Sequence, residues 1–308
     1  MKKTSSITQN LAFYPQNKTE HEELSNDAMP PLTSVIQIIP PDKDEEIEDI
    51  FACAPGLIFT DDTRNHHGDP GSTIVYKSAR FGDIDLKTTD PEREEERQLF
   101  GHYLWNAGIK LAELVSEEDD GRWSVKGRRV LELGAGVGLC GIVATLAGAE
   151  EVVISDYPAP VVLENIRRNA KHAIPERLAS AYSIEGHEWG ELGTDFATKF
   201  AGRFDRILAA DCFWMPSQHS NLVQSTLHFL APDGRVFAIA GFHTGRAKLA
   251  AFFDVAVEEG LEIEEIWEED VDGVRREWAK TRDGGREDVT GRKRWLVLAI
   301  LKRRMRGS

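Results

Sequence analysis

The segment Val130-Leu131-Glu132-Leu133-Gly134-Ala135-Gly136-Val137-Gly138-Leu139 constrains this chain more than any other. An apolar strand runs into glycines at alternate positions, and these open an apolar helix. Glycine at such a turn permits positive φ and lets a ligand approach the backbone closely. The first turn of the helix offers N–H groups without intrahelical partners. A turn that binds nothing is the alternative, and the strand before and helix after count against it.

Two ligand classes use such a loop. Dinucleotides favour G-x-G-x-x-G, with the pyrophosphate on the helix end. Here the spacing is G-x-G-x-G, and Leu139 stands where the third glycine of the dinucleotide pattern belongs. Glu132, just before the first glycine, would repel a pyrophosphate and attract the cationic end of a methionine. Spacing and charge both favour S-adenosyl-L-methionine, with Glu132, Gly134, Ala135 and Gly136 beside it. The next apolar run, Val152-Val153-Ile154-Ser155, ends in Asp156-Tyr157. A carboxylate there accepts hydrogen bonds from both ribose hydroxyls. The alternative is a loop aspartate capping the helix that starts at Pro160.

Hydrophobic periodicity around this segment predicts alternating strands and helices. Strands are expected at 130–133, 151–155, 204–209, 236–240, 263–267 and 294–301. Helices are expected at 139–147, 160–172, 219–230 and 248–259, and one before them from Asp90-Pro91 through Leu99, Tyr103, Leu104, Ala107, Leu111 and Val115. This alternation implies an α/β fold: a Rossmann-like, mainly parallel sheet covered on both faces. The last two strands follow each other without a helix, which predicts an antiparallel edge pair. The expected organisation is a mostly disordered segment at 1–48 with one short docked strand near Val35–Ile39, a β-hairpin lobe at 49–90, and the cofactor-binding domain at 91–303. His66-His67 reads as loop filler.

The 308 residues carry a formal net charge of -15. An acidic surface repels phosphate backbones, so nucleic acid is not expected as a partner, whereas a basic protein is. No stretch has signal-peptide or membrane-span character, so a cytoplasmic or nuclear location is expected, with no membrane partner. Cys53, Cys140 and Cys212 show neither zinc spacing nor a disulfide framework.

Further motifs accompany the glycine loop: Gly101-His102-Tyr103-Leu104-Trp105-Asn106-Ala107-Gly108, Ser155-Asp156-Tyr157-Pro158, Glu164 to Asn169, Glu188-Trp189-Gly190 and Ala210-Asp211-Cys212. Over about residues 97 to 303 the chain resembles the fungal nicotinamide-N-methyltransferase-like group of the seven-β-strand methyltransferases. That group includes the elongation-factor-1A lysine and N-terminal methyltransferases. The resemblance implies a seven-stranded sheet whose last strand is antiparallel. It puts Trp105 by the methionine half of the cofactor, Glu132, Gly134 and Gly136 around it, Asp156 on the ribose, Trp189 near the adenine, and Ala210 and Asp211 beside the transferable methyl. Trp105 and Trp189 also fit core or surface packing. Asp211 is followed by Cys212-Phe213-Trp214-Met215-Pro216, and the fifth strand by Gly241-Phe242-His243-Thr244-Gly245-Arg246; both segments depart from related protein methyltransferases.

Methyl transfer from a sulfonium needs no metal, but it needs an uncharged nitrogen held about 3 to 3.5 Å from the methyl. Asp211 suits orienting an amine, Trp214 walling it, and His243 taking a proton. These are the expected catalytic residues, and His243 also fits a backbone-bonded loop histidine. The expected activity is N-methylation of a protein lysine or N-terminal amine. A small-molecule methyltransferase and a non-catalytic, cofactor-binding regulator are the alternatives.

Overall fold

The computed structural model describes residues 31–40, 66–89, 103–117 and 121–305. Cys53, the apolar run at 56–59, and the Asp90-Pro91 helix start with Leu99 lie outside the described residues. The first strands are β1 (Ile36–Ile39), β2 (His66–His67), β3 (Thr73–Ser78), β4 (Gly82–Lys87) and β5 (Leu104–Trp105). Strands β1, β3 and β4 form a small antiparallel sheet in that order. Its apolar positions Ile74, Tyr76, Ile84 and Leu86 are buried in the same core as the helices described next.

The main sheet is built from β6 (Arg129–Leu133), β7 (Glu151–Asp156), β8 (Tyr182–Gly186), β9 (Phe204–Ala210), β10 (Leu230–Gly241), β11 (Leu261–Asp270), β12 (Arg275–Glu277) and β13 (Trp295–Arg303). Their spatial order is β12-β11-β13-β10-β9-β6-β7-β8. Strands β6 to β10 run parallel to one another, and β13 lies antiparallel between β10 and β11. The helices are α1 (Asn106–Ser116), α2 (Leu139–Leu146), α3 (Pro160–Ala173), α4 (Asp195–Phe200), α5 (His219–Phe229), α6 (Arg246–Glu259) and α7 (Val289–Arg292). Alternation along each strand divides the core in two. Val130, Val152 and Ile154 pack with α1, α2, α3 and the small sheet on one face; Leu131, Leu133 and Val153 pack with α4, α5 and α6 on the other.

The chain moves outward from β6 to β8 and then returns to place β9 on the other side of β6. The carboxyl ends of β6 and β9 therefore face the crevice where the strand order reverses, the usual ligand position in such sheets. Two asparagines fix the small sheet against this crevice. Asn165 and Asn169 on α3 both donate to Lys87 O at the end of β4 (2.9 and 3.0 Å), and Asn169 also donates to Val137 O in the glycine loop (3.0 Å).

Three expectations need correction. The helix inferred through Tyr103 and Leu104 starts only at Asn106, because Leu104 and Trp105 are extended and pair with His67 and His66. That pairing joins distant segments, and local periodicity cannot register it. The last two strands do pair antiparallel, but β13 is an inner strand and the short β12 is the edge. Leu296 to Leu301 are all buried, as a strand covered on both faces requires. Finally, β8 escaped the pattern search: every one of its residues is half-buried, so it has no apolar alternation to detect.

Candidate active site

A cavity with about 1070 Å3 of empty space, part of it open to solvent, lies at the carboxyl ends of β6, β7 and β9. The glycine loop forms its floor. Gly134, Gly136 and Gly138 have φ of 68°, 58° and 88°. A Cβ at Gly134 would lie 2.9 Å from Cys212 Sγ and 3.1 Å from Trp189 Cζ2, so no larger residue fits without displacing both.

Glu132 is 3% exposed, and its Oε2 accepts a hydrogen bond from Gly141 N–H at the start of α2 (2.8 Å). Gly141 allows this approach, because a Cβ there would stand 2.7 Å from that oxygen. Among the described residues no lysine, arginine or histidine pairs with Glu132. Burial pushes its carboxyl up to about 8, against the opposing pull of the Gly141 N–H. Asp156 ends β7, accepting from Gly136 N–H and Tyr157 N–H (both 2.7 Å). Each carboxylate oxygen has two acceptor sites, so one on each oxygen is left for a ligand. Burial raises Asp156 to about 6, and the two N–H donors oppose the shift. A buried carboxylate facing a cavity without a protein cation is strongly disfavoured as an ion. It fits a ligand bearing an ammonium group. The site therefore suits S-adenosylmethionine and would repel a pyrophosphate.

The other side of the cavity follows β9. Asp211 has φ 58°, a left-handed conformation rare for a residue with a side chain. Strain of this kind costs about 1–3 kcal/mol and survives where surrounding contacts enforce it. Here Asp211 N–H donates to Ile239 O (2.8 Å), and its Oδ1 accepts from Gly241 N–H (3.2 Å). The carboxylate is thus turned into the crevice. Burial raises its pKa, while the charge of His243 and the Gly241 N–H pull it down. His243 Nδ1 lies 3.6 Å from Asp211 Oδ1, a charge contact just beyond hydrogen-bond length. The His243 ring stacks on Trp105, with centroids 4.7 Å apart and planes at 24°.

The expected cofactor residues Trp105, Glu132, Gly134, Ala135, Gly136, Asp156, Tyr157, Trp189 and Ala210 all line this one cavity, together with Asp211 and Trp214. His243 stands behind Trp105 rather than in the lining. His187, which sequence reasoning passed over, also lines the wall; its N–H donates to Asp156 O (2.8 Å) and its Nε2 meets Ser225 Oγ at 2.9 Å. Burial lowers its pKa to about 4, so it is neutral. His66-His67, read as loop filler, instead forms β2 beside the cavity-lining strand β5, and His66 packs on Tyr103 and Trp105. Only pairing across the fold reveals it. Among the described residues no group of histidine, cysteine and carboxylate side chains could hold a metal ion.

The family described as lysine methyltransferase matches residues 88–258, a span holding the loop, Asp156, Trp189, Asp211 and His243. This chain belongs to that family. It is 36% identical over 179 residues to the protein N-terminal and lysine N-methyltransferase of Schizosaccharomyces pombe, covering 56% of this chain and 68% of that one. The protein of the same description from Neurospora crassa is 27% identical over 251 residues, covering 76% and 83%. Among solved structures, a Streptococcus mutans protein described as an S-adenosylmethionine-dependent methyltransferase superposes with a TM-score of 0.51 at 10% identity, covering 76% of this chain and 56% of that one. The likeness to that structure concerns the fold alone. The chain is an S-adenosylmethionine-dependent methyltransferase.

Proposed function

We propose that the enzyme methylates an amine of a protein substrate, a lysine Nζ or an N-terminal α-amine. The observation that carries this reading is Asp211, held in a strained conformation at the cavity with Trp105, Trp214 and His243 around it. The relatives from Schizosaccharomyces pombe and Neurospora crassa, described as protein N-terminal and lysine N-methyltransferases, support it.

Bound S-adenosylmethionine supplies a methyl on a sulfonium: the nitrogen lone pair forms the new C–N bond as the C–S bond breaks, and that electron pair stays on sulfur. On the protein side, Glu132 receives the ammonium of the methionine half, and Asp156 receives the ribose hydroxyls. The aromatic rings of Trp105 and Trp214 exclude water from the acceptor and flank its aliphatic stem. An ammonium has no lone pair, so a proton must leave before attack. Asp211 accepts a hydrogen bond from the amine and orients it, and the proton passes through the Asp211 carboxylate to the His243 ring behind it. Asp211 then stabilises the imidazolium across their 3.6 Å separation. A net charge of -15 favours encounter with a basic protein.

The test is incubation with methyl-labelled cofactor and a fungal lysate, followed by mass-spectrometric mapping. Label on a lysine Nζ or a protein N-terminus is the expected result. Label confined to the small-molecule fraction would overturn the reading in favour of a metabolite acceptor.

A further inference from the structure

We propose that the ribbon of β2 and β5 builds an aromatic throat for a cationic amine, and that His66 sets its affinity for methylated ammonium. The inference rests on the reading of the cavity as a protein-amine site and extends it to the path by which the amine arrives.

His66 and Trp105 are directly paired across the ribbon. The His66 ring lies 4.7 Å from Tyr103 and 5.3 Å from Trp105, centroid to centroid. Tyr103 and Trp105 meet edge to face at 6.3 Å, and Trp105 stacks on His243. His66 is exposed, Tyr103 and Trp105 line the cavity, and His243 reaches the buried Asp211. The rings therefore run unbroken from the surface to the carboxylate that faces the acceptor.

The ribbon is anchored on both sides. His67 Nε2 lies 2.7 Å from Asn106 Oδ1 at the start of α1, and both groups are buried. Gly68, at φ 87°, lets the chain pass so close to the small sheet that a Cβ would lie 2.8 Å from Ile74 and Thr88. These anchors fix the backbone that carries His66, and its ring rests on Tyr103 and Trp105. Tyr103 and Trp105 on the cavity wall, with His66 packed on both at the surface, form a run of aromatic rings. Such a run attracts a cation without strong directional demands and suits methylated ammonium groups, which donate few or no hydrogen bonds. Such a throat retains a partly methylated amine between rounds of transfer.

The experiment compares Nε-trimethyllysine amide with its uncharged carbon isostere. Each is titrated into the full chain saturated with S-adenosylhomocysteine at pH 8, where an ordinary histidine is neutral. The charged compound is expected to bind at least tenfold more tightly. His66→Ala should cut its affinity at least fivefold and leave the isostere unaffected, while His66→Phe, which keeps a ring, should retain the preference. S-adenosylhomocysteine affinity, unchanged in both variants, certifies the fold. Equal binding of the two compounds, no binding of either, or an undiminished preference in His66→Ala would overturn the throat. Labelled transfer to protein amines is read separately. Transfer without charge preference removes the throat and leaves the function standing; charge preference without transfer supports the throat and removes the protein substrate.

Discussion

The two sides of the cavity are built in opposite ways. On the cofactor side, Glu132, Gly134, Gly136 and Asp156 come from one strand–helix–strand stretch and are fixed by backbone hydrogen bonds. On the acceptor side, His66, Trp105, Asp211 and His243 come from four separate segments. Contacts between elements distant in sequence hold them in place: the β2–β5 pairing for His66 and Trp105, backbone groups of β10 for Asp211, and a buried ion cluster for the loop of His243. The loop Phe242–Thr244 that carries His243 is clamped by Arg292, whose Nε donates to Phe242 O (3.1 Å), and by Arg246, whose guanidinium lies 4.0 Å above the Phe242 ring. Arg246 also makes bidentate contacts with Glu268 and Glu287. Local backbone geometry thus suffices to make a cofactor site, whereas the acceptor site depends on long-range assembly. Substitutions should separate the two.

The largest effect tests the acceptor scaffold. Arg246→Ala leaves Glu268, fully buried, without its best-packed partner. Arg276 and Arg282 still pair with Glu268, so about 3 kcal/mol of stability should be lost, seen as a lowered melting temperature; a melt unchanged from the parent would show that the clamp is dispensable.

Next comes the cofactor side. Asp156→Ala removes the proposed ribose acceptor and orphans two N–H groups, so calorimetry should show S-adenosylmethionine affinity falling by about 100-fold or more. Comparable loss from an acceptor-side variant would break the distinction between the two halves.

The smallest effect is pH dependence. In the cofactor-free chain Glu132 ionises only near pH 8, because of its burial. A ligand ammonium favours the ionised form, so binding releases a proton below that pH. Affinity should rise about tenfold per pH unit from 6.5 towards 8 and then level off. Stability of the cofactor-free chain runs the other way. A carboxyl raised from 4.5 contributes stability that is fully present below 4.5 and lost as pH rises through about 8. Glu132→Gln should flatten both curves, and calorimetry in buffers of different ionisation enthalpy would count the proton.

This contrast also explains what was legible in the sequence. Positive φ needs glycine, an ammonium needs an acid, and a strand end needs its Asp156; each signature is short-range, and all of these residues line the cavity. Asp211 and His243 were readable because they directly follow strands β9 and β10. The ribbon was not, because His66 gains its meaning only from pairing with Trp105. The role of the connector after β11 was equally hidden. There Arg276 and Arg282 turn inward onto Glu268. The inner position of β13 was concealed by chain order, since a strand that closes the sequence need not close the sheet.

Asp211→Asn gives the most direct test of the account. The amide keeps an acceptor for Gly241 N–H and tolerates the left-handed backbone, while the negative charge disappears. Single-turnover methyl transfer at saturating cofactor, measured beside cofactor affinity, should fall by about 100-fold or more while affinity stays within about twofold. Undiminished transfer, or loss of cofactor binding in step with transfer, would contradict it.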